Sequence, residues 1–377
     1  MRPISTLITF SDEQAMLLET ATGFCRERSP IAAVRAQLGT EHGFDRALWT
    51  EMVGLGWSGL AVPERFGGSG LSLAAAATIA EPMGRHLLAT PFAGTQVFTQ
   101  ALLAGGSAEQ QAQWLPRICE GAIGTVALFE RDGDWDLARI ETVARREGES
   151  VRMSGAKGLV CDAAVADGLL VSVAFDGAPA LALLSACDLP RDRLRRETVI
   201  DETRRSYRLD LDGVVVAASS LITGEAARAA LRAIRDGSLL LACAEAAGGI
   251  AGALDLTVEY LNLRSAFGRK IGSFQALKHT CAEILVGLER SRSHVCHAAS
   301  LIDAGEDAEV ALSMAKAEAG DSFVFAGDRA VQFHGGFGFT YECDAHFYMK
   351  RALASRPAFG DAAHHRRWIA EHLIAAA

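Results

Sequence analysis

The chain has 377 residues, half of them hydrophobic and 22% charged, with a net charge of −9. That much apolar material excludes a disordered chain, and the length exceeds what one core usually organises, so two or three packed subdomains are expected. An acidic chain without a Lys/Arg run lacks the footprint of a nucleic-acid binder. Its short clusters, Arg193, Arg195 and Arg196 and then Arg204 and Arg205, are interleaved with acids and read as solvated faces.

The first third reads as helices. Ser11 with Gln14 three residues on forms a capping-box start for a helix over 15–25. Further helices are predicted over 45–52, 73–86, 96–103 and 108–117, with Pro63 and Gly67-Gly68 breaking the stretch 54–72. The character then changes. Short β-like runs cover 125–129, 140–146, 150–154, 158–161, 168–174, 180–184 and 207–216, which signals a β-sandwich or barrel. Long helical patterns return over 224–260, 273–304 and 306–333, and a last helix starts near Ala362. The layout is therefore α, then β, then α. It divides as a helical domain over 1–122, a β-domain over 123–217 and a helical bundle over 218–377.

The stretch 237–254 carries one charge, Glu245, and by length borders on a membrane span. The carboxylate near its middle and the Gly248-Gly249 pair predict a helix buried in protein instead. The N-terminus has no basic segment leading into an apolar one, so no secretory leader is expected. Eight cysteines without a CxxC pair read as free thiols in a reducing cytoplasm. Cys296 beside His294 and His297 has no second cluster at ligand spacing, so no metal site is expected.

Two stretches carry chemistry. In RSAFGRKIGSFQALKH (264–279), Arg264 offers a bidentate fork to a pyrophosphate, Phe267 a ring to cover a flavin or adenine face, and Gln275 an amide for polar ring or ribose atoms. In VQFHGGFGFTYE (331–342), Gln332, Gly335, Gly336 and Gly338 make a turn where backbone can approach a ligand and offer N–H groups. Taken bluntly, the first is an Arg–acid surface pair with a core Phe, and the second a helix-breaking loop. Together, with GLGWSGLAVPERFGGSGLS (54–72), they resemble the acyl-CoA dehydrogenases through nearly the whole chain and in the right order.

The resemblance implies an α+β fold with an N-terminal helical domain, a middle β-barrel or sandwich domain and a C-terminal four-helix bundle. It implies FAD, an acyl-CoA substrate, and electrons passed to an electron-transferring flavoprotein. It also implies an oligomer, a dimer of dimers of identical or paralogous subunits. Arg264, Phe267 and Gln275 would hold FAD, and Gln332, Gly335 and Gly336 would reach the FAD of the neighbouring subunit.

The chain departs from the family at the flavin ring and at the base. In LFERDGDWDLA (128–138), Phe129 stands for a Thr and Arg131 for a Pro, and in KGLVCDA (157–163) Leu159, Val160 and Cys161 replace an aromatic, an Ile and a hydroxyl. The reaction needs a carboxylate to take a proton alpha to the thioester. Gly360 occupies one usual position for that Glu and Ser238 the other. Glu245, on the same helix face two turns beyond Ser238, and Asp361, beside Gly360, are the two substitutes. Burial should raise the pKa of Glu245, as suits a base, though pairing with an Arg explains its position as well. His364 and His365 are expected at the surface. The leading expectation is an FAD-dependent α,β-dehydrogenase of an acyl-CoA thioester; the missing base positions resemble bacterial members that act on bulky acyl chains such as steroid side chains. The other is a non-catalytic subunit that completes a partner's FAD site.

Overall fold

The computed structural model describes residues 12–130, 133, 135–137 and 139–375. Ser11 and Arg131, named above, lie outside the described residues. Six helices come first: α1 (Asp12–Arg28), α2 (Ile31–Gln37), α3 (Arg46–Gly54), α4 (Leu73–Arg85), α5 (Phe92–Gly105) and α6 (Ala108–Cys119). Their starts follow local chemistry. Asp45 accepts the N–H of Ala47 ahead of α3, and Ser107 and Gln110 close a reciprocal capping box on α6.

The strands follow as β1 (Gly124–Ala127), β2 (Val143–Glu147), β3 (Ser150–Ser154), β4 (Ala156–Cys161), β5 (Gly168–Phe175), β6 (Ala178–Ser185), β7 (Leu194–Arg196), β8 (Ser206–Asp210), β9 (Val215–Ala217) and β10 (Leu221–Ile222). Seven form one mixed sheet in the order β10-β6-β5-β2-β3-β9, with β1 parallel to β5; β4, β8 and β7 form a second sheet. Asp176 and Gly177 both have positive φ in the two-residue turn joining β5 to β6, as a hairpin with native twist requires. The predicted run 207–216 is two strands separated by a turn, and the run at 140 begins at Val143.

The last third holds α7 (Gly224–Leu263), a small hairpin of β11 (Ser265–Ala266) and β12 (Arg269–Lys270), and then α8 (Gln275–Asp303), α9 (Glu309–Phe333), α10 (Ala345–Ser355) and α11 (Ala362–Ala375). α7 is long and apolar enough to cross a membrane, but 72% of its apolar window is buried inside the protein. It is a core helix, as Glu245 and the glycine pair predict. Gly248 lets it lie directly on α4: an added Cβ would sit 1.8 Å from the Glu81 carbonyl oxygen. Gly249 faces the other way, where a Cβ would meet the Phe323 ring of α9 at 2.2 Å. The pair therefore wedges α7 between two helices at backbone distance.

The arginine cluster near 204 is not a solvated face. Arg205 is 2% exposed and donates to the carbonyls of Gln37, Leu38 and Thr40. Those are orphan acceptors at the end of α2, where a cation also suits the helix dipole. Arg351 of α10 likewise binds Asp201 and Thr203, tying the β-domain to the bundle. Lys157 and Glu130 pair inside the β-domain with almost no exposure, and the lysine also donates to Leu128 O and Ser172 Oγ.

Candidate active site

A cavity of about 580 Å³ opens between α7, α9 and the start of α11. Its walls include Trp135, Arg235, Asp236, Glu309, Phe359 and His364. On α7 the face turned to the cavity is 235, 236 and 239, adjoining Ser238; on the other side Phe359 adjoins Gly360. The cavity therefore reaches both stretches where the sequence looks for a base.

Neither stretch presents a Glu. Gly360 has φ +98, and a Cβ there would lie 2.6 Å from His364 Cδ2 and 3.0 Å from His365 Nε2. No side chain fits. Asp361 caps α11: its Oδ1 accepts the N–H of His364 at 2.9 Å. That hydrogen bond holds its carboxyl below the usual carboxylate range. On α7, Arg235 binds Asp236 at 2.9 Å and Glu309 at 2.5 Å. Burial raises the Asp236 pKa against the pull of Arg235.

The two histidines are cavity residues, not surface ones. His365 is 4% exposed, with Nε2 3.0 Å from the Phe359 carbonyl, and burial pushes it down to about 4. His364 packs edge-on against Trp135, ring centroids 4.0 Å apart. Burial and Arg367 lower its pKa, opposed by Asp361, Asp136 and Glu371, so the ring is neutral at pH 7. Sequence reasoning named both but expected them at the surface, as partners of Asp361 at most. The one available signal was an Asp cap followed by a His pair, which sets His364 on the first turn beside the glycine.

Glu245 lies elsewhere. It is six residues beyond Leu239, about 9 Å farther along α7, and its Oε1 binds Arg204 at 2.7 Å with both side chains about four-fifths buried. Burial works against the Arg204 charge, but Glu245, Asp162 and Asp201 outweigh it. Arg204 also reaches the Thr90 carbonyl at 3.4 Å, and the Thr90 hydroxyl, 3% exposed, has no partner among the described residues. Cys161 and Asp162 adjoin this pair. Cys161 is accessible to water yet its thiol is pushed up to about 12, and Asp162 is pushed up to about 6, both chiefly by burial.

The six flavin-motif residues sit apart from the cavity, at one end of the bundle. Tyr260 near the end of α7 stacks on His334 at 4.2 Å, which brings the Arg264 segment to the Gly335-Gly336 turn. Arg264, Phe267, Gln275, Gln332, Gly335 and Gly336 are all exposed. Phe267 and Gly268 both have positive φ in the β11–β12 turn, and the Phe267 ring is 94% exposed. A bulky ring in the left-handed region, open to solvent, is strain without local reward. Space around Gly335 and Gly336 is open, and among the described residues Arg264 has no ion pair. A guanidinium without an ion pair and a glycine turn with open backbone both suit a pyrophosphate. Two positions where the chain departs from the family pattern are apolar: Phe129 packs on Phe359 at 5.2 Å, and Leu159 is 43% exposed. Among the described residues no three His, Cys, Asp or Glu are gathered as metal ligands.

An α–β–α chain with these two flavin motifs at the end of a helical bundle defines an acyl-CoA dehydrogenase architecture. Comparison with known proteins bears on it directly. The family description "Acyl-CoA dehydrogenase, N-terminal domain" matches residues 11–122, and "Acyl-CoA dehydrogenase, C-terminal domain" matches 227–374. The acyl-CoA dehydrogenase IpdE2 of Mycobacterium tuberculosis is 32% identical over 92% of this chain and 93% of its own length. A structure of a variant of the Tcur3481–Tcur3483 steroid ACAD superposes with TM-score 0.87 at 28% identity, over 97% of this chain and 98% of that one. The ChsE4–ChsE5 complex of Mycobacterium tuberculosis gives 0.88 at 26% identity, over 97% and 98%. The chain belongs to the acyl-CoA dehydrogenase family of oxidoreductases.

Proposed function

We propose that this chain carries out the FAD-dependent α,β-dehydrogenation of an acyl-CoA thioester with a bulky, ring-bearing acyl group. It does so as a subunit of an oligomer and passes the electrons to an electron-transferring flavoprotein. The observation that carries this reading is the cavity of about 580 Å³ between Leu239 of α7 and Phe359 beside Gly360. Trp135, Phe359 and Trp368 give that cavity apolar walls that suit rings. Bound FAD supplies the hydride acceptor. Arg264, Phe267 and Gln275 hold it, and Gln332, Gly335 and Gly336 serve the neighbour's. The exposed Phe267 and Phe339 rings support that exchange across a subunit interface. The steroid ACAD and the two-component complex among the similar structures favour both the bulky substrate and a paralogous partner.

Of the two carboxylates that sequence offers as the base, Glu245 balances Arg204 and Asp361 caps α11. We assign the proton to neither. A second reading, a subunit that only completes a partner's FAD site, is favoured by Phe129 and Leu159 at the ring positions and by the lack of a Glu at 238 and 360.

Dye-linked oxidation of an acyl-CoA panel by the purified full chain separates the two. The first reading expects ring-bearing acyl-CoAs to be oxidised and butanoyl-CoA to be poor. A colourless protein that turns over nothing, and lends activity only to a paralogous subunit, establishes the second.

A further inference from the structure

We propose that His364 is the general base of this active site, taking the proton from the carbon alpha to the thioester. The inference rests on the dehydrogenase reading and names the group it leaves open.

The argument is by elimination within the cavity. Among the described residues, five side chains lining it could accept a proton: Asp136, Asp236, Glu309, His364 and His365. Asp236 and Glu309 are both bound to Arg235. Asp136 is engaged as well. His365 has Nε2 committed to the Phe359 carbonyl, in a setting that leaves it a weak base. His364 remains: among the described residues its ring makes no hydrogen bond, so a nitrogen lone pair is uncommitted.

Its position is fixed from three sides. Its backbone N–H is held by Asp361, its ring by the T-shaped contact with Trp135, and its Cδ2 edge lies against Gly360. The imidazole therefore fills the space a side chain at 360 would take. Such fixing is what a proton-transfer group needs. The step balances simply. The Cα–H bond breaks and its proton passes to the His364 ring nitrogen. The Cβ–H bond breaks with its electron pair, for which FAD, when bound, would be the acceptor, and the Cα=Cβ double bond forms.

The groups facing the ring are Asp361, His365, Arg367 and Glu371 on its own segment, Asp136 beside Trp135, and Arg235, Asp236 and Glu309 across the cavity. Their balance with burial keeps the imidazole neutral near pH 7. The neutral form is the active one, so kcat/KM should rise with pH through a midpoint below the ordinary imidazole value and then level off.

The test uses proton exchange as well as turnover. An acyl-CoA with no hydrogen on Cβ cannot lose a hydride, so its α-proton exchange into deuterated water, followed by NMR, reads the base alone. His364→Ala should slow both exchange and turnover by about a hundredfold or more. Ligand affinity and the thermal unfolding midpoint should stay near wild type, and added imidazole should restore part of the exchange. Exchange in His364→Ala within about threefold of wild type overturns the assignment. If the variant unfolds, His364→Asn and the wild-type pH profile decide: a profile without an acidic limb below neutrality also overturns it. A wild-type protein that neither exchanges nor oxidises any acyl-CoA sinks the dehydrogenase reading itself.

Discussion

Glu130→Gln should destabilise the protein by about 3–5 kcal/mol, the cost typical of removing one partner of a buried ion pair. Lys157 has no exposed side-chain surface and Glu130 only 4%, so solvent cannot take over for the lost carboxylate. Glu130 also accepts from the backbone N–H of Glu141 and Thr142 and from the Thr142 hydroxyl. The amide keeps the shape but turns two acceptors into one acceptor and one donor, facing an ammonium group that is still buried. The pair joins the end of β1, the start of β2, β4 and β5, so the whole β-domain feels the change. Guanidinium denaturation checks it through the midpoint at constant slope. A double substitution to Leu and Met should recover most of the loss, because burying no charge costs less than burying one alone. A Glu130→Gln protein as stable as wild type would show the network is not closed as described.

Gly360→Glu should abolish turnover, although it installs the residue this family commonly uses there. At φ +98 an L side chain is strained by about 1–2 kcal/mol. Its Cβ would also collide with His364 and His365 at 2.6 and 3.0 Å. The ring of His364 must leave, and with it the group that takes the proton. We expect turnover to fall at least about a hundredfold, as for loss of the base itself, with a lower melting temperature. Relieving the collision as well, in Gly360→Glu with His364→Ala, should return part of the activity through the new carboxylate. Steady-state kinetics of the single and the double variant checks this. A single Gly360→Glu variant faster than wild type would mean the site was waiting for its glutamate.

The long helices were legible because their apolar periodicity extends over many turns, and Gly248-Gly249 marked α7 as buried. α2 escaped because it has seven residues and one buried side chain, Val34, too few for a period to show. α10 escaped behind the glycine-rich turn at 335–338. Arg204 and Arg205 were misread for a different reason. A sequence shows neighbouring charges, whereas the carbonyls that Arg205 binds lie about 165 residues away, and Glu245 lies 41 residues from Arg204. The site was legible as motifs and as absences. Arg264 and the Gly335-Gly336 turn stood out by pattern, and the missing Glu at 238 and 360 could be counted. What replaces it could not, because the His364 ring reaches Gly360 only through the left-handed turn and the Asp361 cap, and neither backbone angle is written in residue types.

The most direct test of the account is the visible spectrum of the purified chain, alone and with a paralogous subunit, under anaerobic titration with acyl-CoAs. The account predicts a yellow protein whose flavin band bleaches on addition of a ring-bearing acyl-CoA and hardly responds to a short straight-chain one. A protein that stays colourless in both preparations, or a yellow one whose band no acyl-CoA bleaches, would contradict it.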